Sequence, residues 1–89
     1  MAEVMKLKGV IPVDVGNQNT TYWNNVCGTQ YVGRIITGYH TNLNSGIVAI
    51  GNSTYTLQIA NEYLGEVVKM RTYYSDGSYW TSWKTISFS

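Results

Sequence analysis

Short, largely apolar segments separated by polar turns make up most of this 89-residue chain. The segments are rich in β-branched and aromatic residues, which favour strands, and no window of about eleven residues keeps a helical apolar period. The strand candidates are residues 6–13, 30–37, 46–50, 54–60, 66–74 and 79–88. We therefore predict an all-β domain of about six to seven strands, arranged as a small antiparallel sandwich or barrel.

The last predicted hairpin is the clearest local feature. Asp76-Gly77 joins two β-rich segments, and an Asp-Gly pair supplies the positive φ that tight hairpin turns need. Side chains alternate across a strand, so residues 66–74 should send Lys69, Arg71 and Tyr73 to one face. In a regular final strand, Trp80, Ile86 and Phe88 share the core face. Tyr79 and Trp83 then share the opposite face.

Two segments are less regular. Residues 6–13 alternate but contain Pro12, which cannot donate to a central ladder, so we expect residues 1–13 to form an edge strand or an attachment arm. The remaining residues, 14–89, would form the globular domain. Residues 17–25 have no clear period and predict an irregular loop or a short turn holding Tyr22 and Trp23, with a helical turn as the alternative.

Composition narrows the range of functions. Charged residues are 12% of the chain and the net charge is +1, whereas asparagine, serine and threonine fill 25 positions. Nucleic-acid binding normally needs a basic stripe, so we expect no nucleic-acid partner. No apolar run approaches the ~20 residues of a membrane span, and the first residues lack the apolar core of a signal peptide. We expect synthesis in the cytoplasm and no membrane insertion.

Candidate catalytic groups are sparse. Cys27 and His40 are the only residues of their kinds, which excludes an internal disulfide and a cysteine-based zinc site. Five acidic residues are scattered, and Glu62 and Glu66 flank a glycine turn typical of a solvated loop. Paired catalytic carboxylates need a shared cleft. We therefore predict no enzyme, no metal and no cofactor.

The eight tyrosines and three tryptophans are more informative. Aromatic rings stack on the apolar faces of sugars, and amides and hydroxyls bond the sugar hydroxyls. The candidate ligand-binding residues are Tyr73, Tyr79 and Trp83, with Asn42 or Asn44 in an adjacent loop. The same three aromatic side chains could instead form a seam between subunits. Most other aromatic residues should fill a core that has a single phenylalanine.

The chain from Gly46 onward resembles the C-terminal knob module of bacteriophage tail fibres and pyocin-type fibres. In that module a glycine opens an apolar strand, a glutamine ends a strand, an arginine precedes an aromatic hairpin, and a tryptophan pair is followed by a basic residue and an aliphatic one. The matching positions are Gly46, Gln58, Arg71, Trp80, Trp83, Lys84 and Ile86. The resemblance covers about half of the chain.

The resemblance implies a homotrimer in a virion, attached to other virion proteins through residues 1–13 and engaged in host-cell attachment through a surface glycan. Gln58 and Arg71 would hold the fold together by satisfying buried polar groups. One alternative is a structural head-fibre or capsid-decoration protein whose aromatic residues form subunit contacts. Another is a cellular carbohydrate-binding module, for which the missing signal peptide would be unexplained.

Overall fold

The computed structural model describes residues 11–62 and 66–86. The elements in chain order are strand β1 (Val13–Gln18), helix α1 (Thr20–Asn24), a 3-10 turn (Thr29–Tyr31), and strands β2 (Ile35–His40), β3 (Ser45–Gly51), β4 (Tyr55–Glu62), β5 (Val67–Tyr74), β6 (Tyr79–Trp80) and β7 (Lys84–Ile86). The chain is all-β with one short helix, and this confirms the predicted class and number of strands.

All seven strands belong to one sheet, and most of the pairs are antiparallel. Strands β2 to β5 form a meander in which each pairs with the next. Strand β1 pairs with β2 in parallel, with an irregularity between Asp14 and Asn17. Strands β6 and β7 both pair with β5, at its end and at its start respectively. The sheet therefore has β1 at one edge and the C-terminal strands at the other.

The two faces of this sheet differ. We call the face covered by α1 the inner face. It holds the buried core residues of β2, β3 and β4, which are Ile36, Ile47, Ala49 and Ala60. Trp23 and Val26 pack against these residues. Trp23 has no exposed surface. The side chains of alternate residues point to the opposite, outer face. The layer covering the described part of the sheet is thus a helical segment, where a sandwich would have a second sheet.

Helix α1 forms because its first turn is capped. The Asn19 side chain accepts a hydrogen bond from the Tyr22 N–H at 3.0 Å, which satisfies a donor that has no partner within the helix. The indole Nε1 of Trp23 donates to the Gln18 carbonyl at 3.2 Å and fixes the helix to the end of β1. The helical alternative for residues 17–25 is therefore the one adopted.

Several predicted boundaries were wrong. Strand β1 was not among the strand candidates, and its irregular pairing with β2 accommodates Gly16 at a φ of 70°. The strand predicted at 30–37 starts at Ile35, because residues 29–31 form the 3-10 turn. Most of the edge strand or arm predicted at residues 1–13 lies outside the described residues, and Val13 pairs with Ile36 in the edge strand β1.

The final strand departs from the predicted alternation. Residues 81–83 interrupt it, so β6 and β7 are out of phase. The prediction that Trp80 and Trp83 point in opposite directions was wrong: both contact the guanidinium of Arg71 on the inner face. Ile86 is 36% exposed and pairs with Val68, so its placement in the core was also wrong. Phe88 lies outside the described residues.

Candidate functional site

Three tyrosines form a continuous aromatic patch on the outer face, which we call the tyrosine surface: Tyr55, Tyr74 and Tyr79. The ring centroids of Tyr55 and Tyr74 are 5.5 Å apart and the rings are tilted by 31°. The centroids of Tyr74 and Tyr79 are 5.7 Å apart in an edge-to-face arrangement. Tyr55 is 48% exposed and Tyr79 is 55% exposed. Aromatic area of this size remains open to a ligand or to another chain.

Strand register brings these tyrosines together. Tyr55 pairs with Tyr74 across β4 and β5, and Tyr74 pairs with Tyr79 across β5 and β6. Directly opposed side chains on one face lie about 4.5–5.5 Å apart at Cβ, close enough for the rings to touch. The tyrosine surface is therefore formed by one tyrosine from each of the neighbouring strands β4, β5 and β6.

The hairpin turn Ser75–Ser78 fixes the edge of the tyrosine surface. The Ser78 N–H donates to the Tyr74 carbonyl at 2.8 Å, and the Ser75 N–H donates to the Thr54 carbonyl at 2.9 Å. The predicted positive φ at Gly77 was wrong, because Ser78 takes it, with φ of 57°. Glycine is needed at Gly77 for space: a Cβ there would collide with the Tyr79 ring and approach that of Tyr74.

A shallow groove of about 510 Å³ adjoins the tyrosine surface, and its lining is uncharged. The lining residues are Asn52, Tyr55, Leu57, Thr72 and Thr81. The Asn52 side-chain oxygen accepts from the backbone N–H groups of Thr54 and Tyr55, which leaves its amide nitrogen as a donor. The Thr81 hydroxyl oxygen accepts from the Thr72 N–H at 3.0 Å. Rings, hydroxyls and an oriented amide thus lie side by side.

The predicted ligand-binding residues do not form one site. Tyr79 belongs to the tyrosine surface, whereas Tyr73 packs edge-to-face on Trp80 and Trp83 packs against the core, both on the inner face. Asn42 and Asn44 lie in the β2–β3 turn, at the far end of β4 from Tyr55. The predicted grouping of these five residues was therefore wrong.

The two asparagines have structural contacts of their own. The Asn42 side-chain oxygen accepts from the backbone N–H and the hydroxyl of Thr20, both at 2.8 Å, and so ties the turn to the start of α1. Asn44 takes a positive φ of 51°, a conformation that asparagine tolerates better than most residues. These contacts account for both residues without a ligand.

Five residues of the tyrosine surface and its groove were not among the predicted binding residues: Tyr55, Tyr74, Asn52, Thr72 and Thr81. Alternation within 66–74 places Thr72 and Tyr74 on one face, so the sequence contained a signal for these two residues. Tyr55 and Asn52 could be added only through the register of β4 with β5, which depends on where each strand begins.

A second cluster lies on the inner face, around Arg71. The Arg71 Nε donates to the Gln58 side-chain oxygen at 3.0 Å, and its guanidinium carbon lies 3.9 Å from the ring centroid of Trp80 and 4.6 Å from that of Trp83. Burial lowers the pKa of Arg71 to about 10, so the group is still a cation at neutral pH. Among the described residues its Nη2 has no hydrogen-bond partner, and the electron-rich faces of the two indoles stabilise the charge instead.

Gln58 links this cluster to the helical layer. Its side-chain nitrogen donates to the carbonyl of Trp23 at 2.7 Å and to that of Val26 at 3.3 Å. The Trp80 Nε1 donates to the Asn24 carbonyl at 3.1 Å. These three side chains, Gln58, Arg71 and Trp80, thus connect the last hairpin, the sheet and the end of α1. The inner face is packed by such contacts, whereas the tyrosine surface on the outer face is open.

Several other ionisable groups have separate surroundings in the described part of the chain. Glu62 forms an ion pair with Lys69, with 2.9 Å between Oε2 and Nζ. No group of three His, Cys, Asp or Glu residues that could hold a metal ion occurs within residues 11–62 and 66–86. Burial raises the pKa of the Cys27 thiol, which favours the unreactive protonated form. No helix in these residues is long and apolar enough to cross a membrane.

His40 provides a test of the inner-face packing. Its Nδ1 accepts a hydrogen bond from the Leu43 N–H at 3.2 Å, and burial, together with the Arg71 charge, lowers its pKa. The unfolded state therefore binds a proton more readily, so stability is complete above about pH 6.5 and falls as the pH drops through and below that value.

Urea unfolding between about pH 7 and pH 5 should show this loss of stability, and His40→Asn should reduce it, since an asparagine oxygen can accept the same bond. The chain has one histidine, so no other imidazole contributes in this window. A stability that is flat over the window, or a slope unchanged in the variant, would contradict the buried placement of His40.

Comparison of the chain with protein-family models, with curated proteins and with solved structures finds no match. The fold and the site themselves define an all-β, single-sheet protein with an open aromatic surface on one face. Neutral hydroxyl and amide groups lie beside the rings.

Proposed function

We propose that this chain is a non-enzymatic fibre or knob protein of a bacteriophage virion that attaches to a glycan on the host-cell surface through the tyrosine surface. The observation that carries the proposal is the set of mutually packed rings of Tyr55, Tyr74 and Tyr79, in which Tyr55 and Tyr79 are exposed and Tyr74 is half-buried. The rings offer flat apolar area for a pyranose, and the groove beside them offers hydroxyl and amide groups.

The resemblance of the chain from Gly46 onward to phage fibre knobs supports the virion assignment. The residues that carry the resemblance include Gln58, Arg71, Trp80 and Trp83, and they are in contact with one another as a chain from sheet to hairpin. In this proposal they hold the hairpin in place, and the hairpin presents Tyr79 on the other face.

In the proposed attachment, each binding site has a low affinity for the glycan, and several copies of the chain together bind more tightly. A ring stacked on a sugar and a few hydrogen bonds to water-exposed groups give modest affinity, because binding also costs translational and side-chain freedom. Several copies, in a homotrimer and on one particle, raise the effective affinity without any new contact.

Tyr79→Ala is expected to lower saccharide binding at least about ten-fold on a glycan array or in cell attachment, because the most exposed ring of the surface is lost. The matched control is Tyr39→Ala, which removes a tyrosine that is 39% exposed on the same face but on β2. Size-exclusion chromatography with light scattering should show the same oligomer for both variants and the native chain. Binding that survives Tyr79→Ala, or is lost equally in Tyr39→Ala, would contradict the proposal.

A structural head-fibre or capsid-decoration role is the second candidate, and the rest of the outer face favours it. The outer face carries half-buried or exposed aliphatic side chains on every strand from β2 to β5: Ile35, Val48, Ile50, Leu57, Ile59, Val68 and Met70. Apolar area of this extent is typical of contacts between chains. If Tyr79→Ala dissociates the oligomer and binding is absent in the native chain, this role replaces attachment.

A further inference from the structure

We infer that the tyrosine surface selects saccharides by charge, taking amino sugars with a free ammonium group in preference to neutral sugars and disfavouring anionic ones. The inference rests on the proposed function and names the ligand class of the same site. It depends on the one charged residue of the turn that borders the rings, Asp76.

The geometry of the turn places Asp76 beside the rings. The turn is fixed at both ends, since Tyr74 precedes it and Tyr79 follows it in paired strands. Its Ser75 N–H is bonded to Thr54, the neighbour of Tyr55, so the turn lies against β4 as well. Asp76 is exposed. The same proximity raises the pKa of the Tyr74 hydroxyl, because the Asp76 carboxylate repels a phenolate.

The basic residues of the described chain lie elsewhere. Lys69 and Arg71 are on the inner face, one paired with Glu62 and the other between two indoles. Arg34 lines a cleft with Val13 and Val32, on the β1 side of the sheet.

Lys84 is on the outer face but opposite Met70, four residues along β5 from Tyr74. At roughly 3.3 Å per residue this is about 13 Å, beyond the ~8 Å over which salt screens exposed charges at physiological ionic strength. The negative charge of Asp76 is therefore not neutralised locally by these residues.

Two physical effects then favour a cationic ligand. The faces of aromatic rings carry negative potential and attract an ammonium group placed over them. The Asp76 carboxylate adds Coulombic attraction and can accept a charge-assisted hydrogen bond from the ammonium. A sugar carboxylate, sulfate or phosphate meets repulsion from both. Neutral sugars retain the stacking and the hydrogen bonds alone.

Three tetrasaccharides test this directly: glucosamine, N-acetylglucosamine and glucuronic acid oligomers, titrated by calorimetry at a pH where the amine is charged. The native chain should bind the glucosamine tetramer about five-fold more tightly than the N-acetylated one, and the glucuronate tetramer most weakly. Asp76→Asn keeps the shape and removes the charge, and it should bring the first two affinities together. Glu66→Gln, an exposed acid at the opposite end of β5, is the matched control and should keep the preference.

The outcomes separate this inference from the proposed function. In one outcome, Tyr79→Ala abolishes binding, but the native chain prefers the neutral or the anionic tetramer, or Asp76→Asn leaves its preference unchanged. This outcome overturns the charge selection and retains the glycan site. In the other outcome, Tyr79→Ala abolishes the binding of none of the three tetramers and of no sugar on a glycan array. This outcome overturns both the charge selection and the proposed attachment to a glycan.

Discussion

Gln58→Leu is expected to lower the free energy of unfolding by about 3–5 kcal/mol, a large share of the stability of a domain of this size. The substitution keeps the approximate side-chain volume but removes the acceptor for Arg71 and the donor to the carbonyls of Trp23 and Val26. Gln58 has no exposed surface, so water cannot replace those bonds. A buried cation and two buried carbonyl groups would be left without these partners, which costs more than the bonds themselves contribute.

Urea denaturation followed by tryptophan fluorescence measures this loss. Gln30→Leu makes the same chemical change at an exposed position of the 3-10 turn and should alter stability by less than about 0.5 kcal/mol. A cost below about 1 kcal/mol for Gln58→Leu would show that the inner-face network around Arg71 does not hold the helical layer to the sheet.

Gly38→Ala is expected to cost about 3 kcal/mol, because the new methyl group has no space. A Cβ at this position would lie 2.8 Å from the Gly16 carbonyl oxygen and 2.9 Å from Cζ2 of Trp23. One neighbour is backbone and the other is an indole with no exposed surface, so neither can give way without moving β1 or α1. Overpacking of this kind usually costs about 1–3 kcal/mol and occasionally more.

Gly46→Ala is the matched control in the neighbouring strand. No atom lies within 4 Å of a Cβ built there, and its φ is not positive, so stability should stay within about 0.5 kcal/mol of the native value or rise slightly. Thermal or urea unfolding compares the two variants. Equal effects of Gly38→Ala and Gly46→Ala would contradict the close approach of β1, β2 and α1.

Much of the fold could be predicted because strands β3, β4 and β5 have strong β-branched patterns bounded by polar turns. Strand β1 could not be predicted, because its sequence, VDVGNQ, contains turn residues. The strand also pairs with β2 through an irregular parallel register that only tertiary contacts favour. The predicted alternation of the last strand was wrong for a similar reason. A three-residue interruption at 81–83 shifts the phase of alternation, and nothing in the local composition marks where it occurs.

The candidate site was only partly predictable. Tyr79 could be placed at the hairpin from the Asp76-Gly77 turn, and Tyr74 from alternation within β5. Trp83 was assigned to the wrong face because the phase shift lies just before β7. Tyr55 required the register of β4 with β5, a long-range property that local residue preferences do not determine.

NMR mapping of the bound saccharide tests the central claim most directly. A uniformly labelled chain is titrated with the tightest-binding saccharide, and shifts of the backbone amides and tyrosine rings are followed. If the tyrosine surface is the attachment site, the largest shifts fall on residues 52–57 and 72–81, with the rings of Tyr55, Tyr74 and Tyr79 among them. Largest shifts in the β2–β3 turn at Asn42 and Asn44, or no shifts with any saccharide, would contradict it.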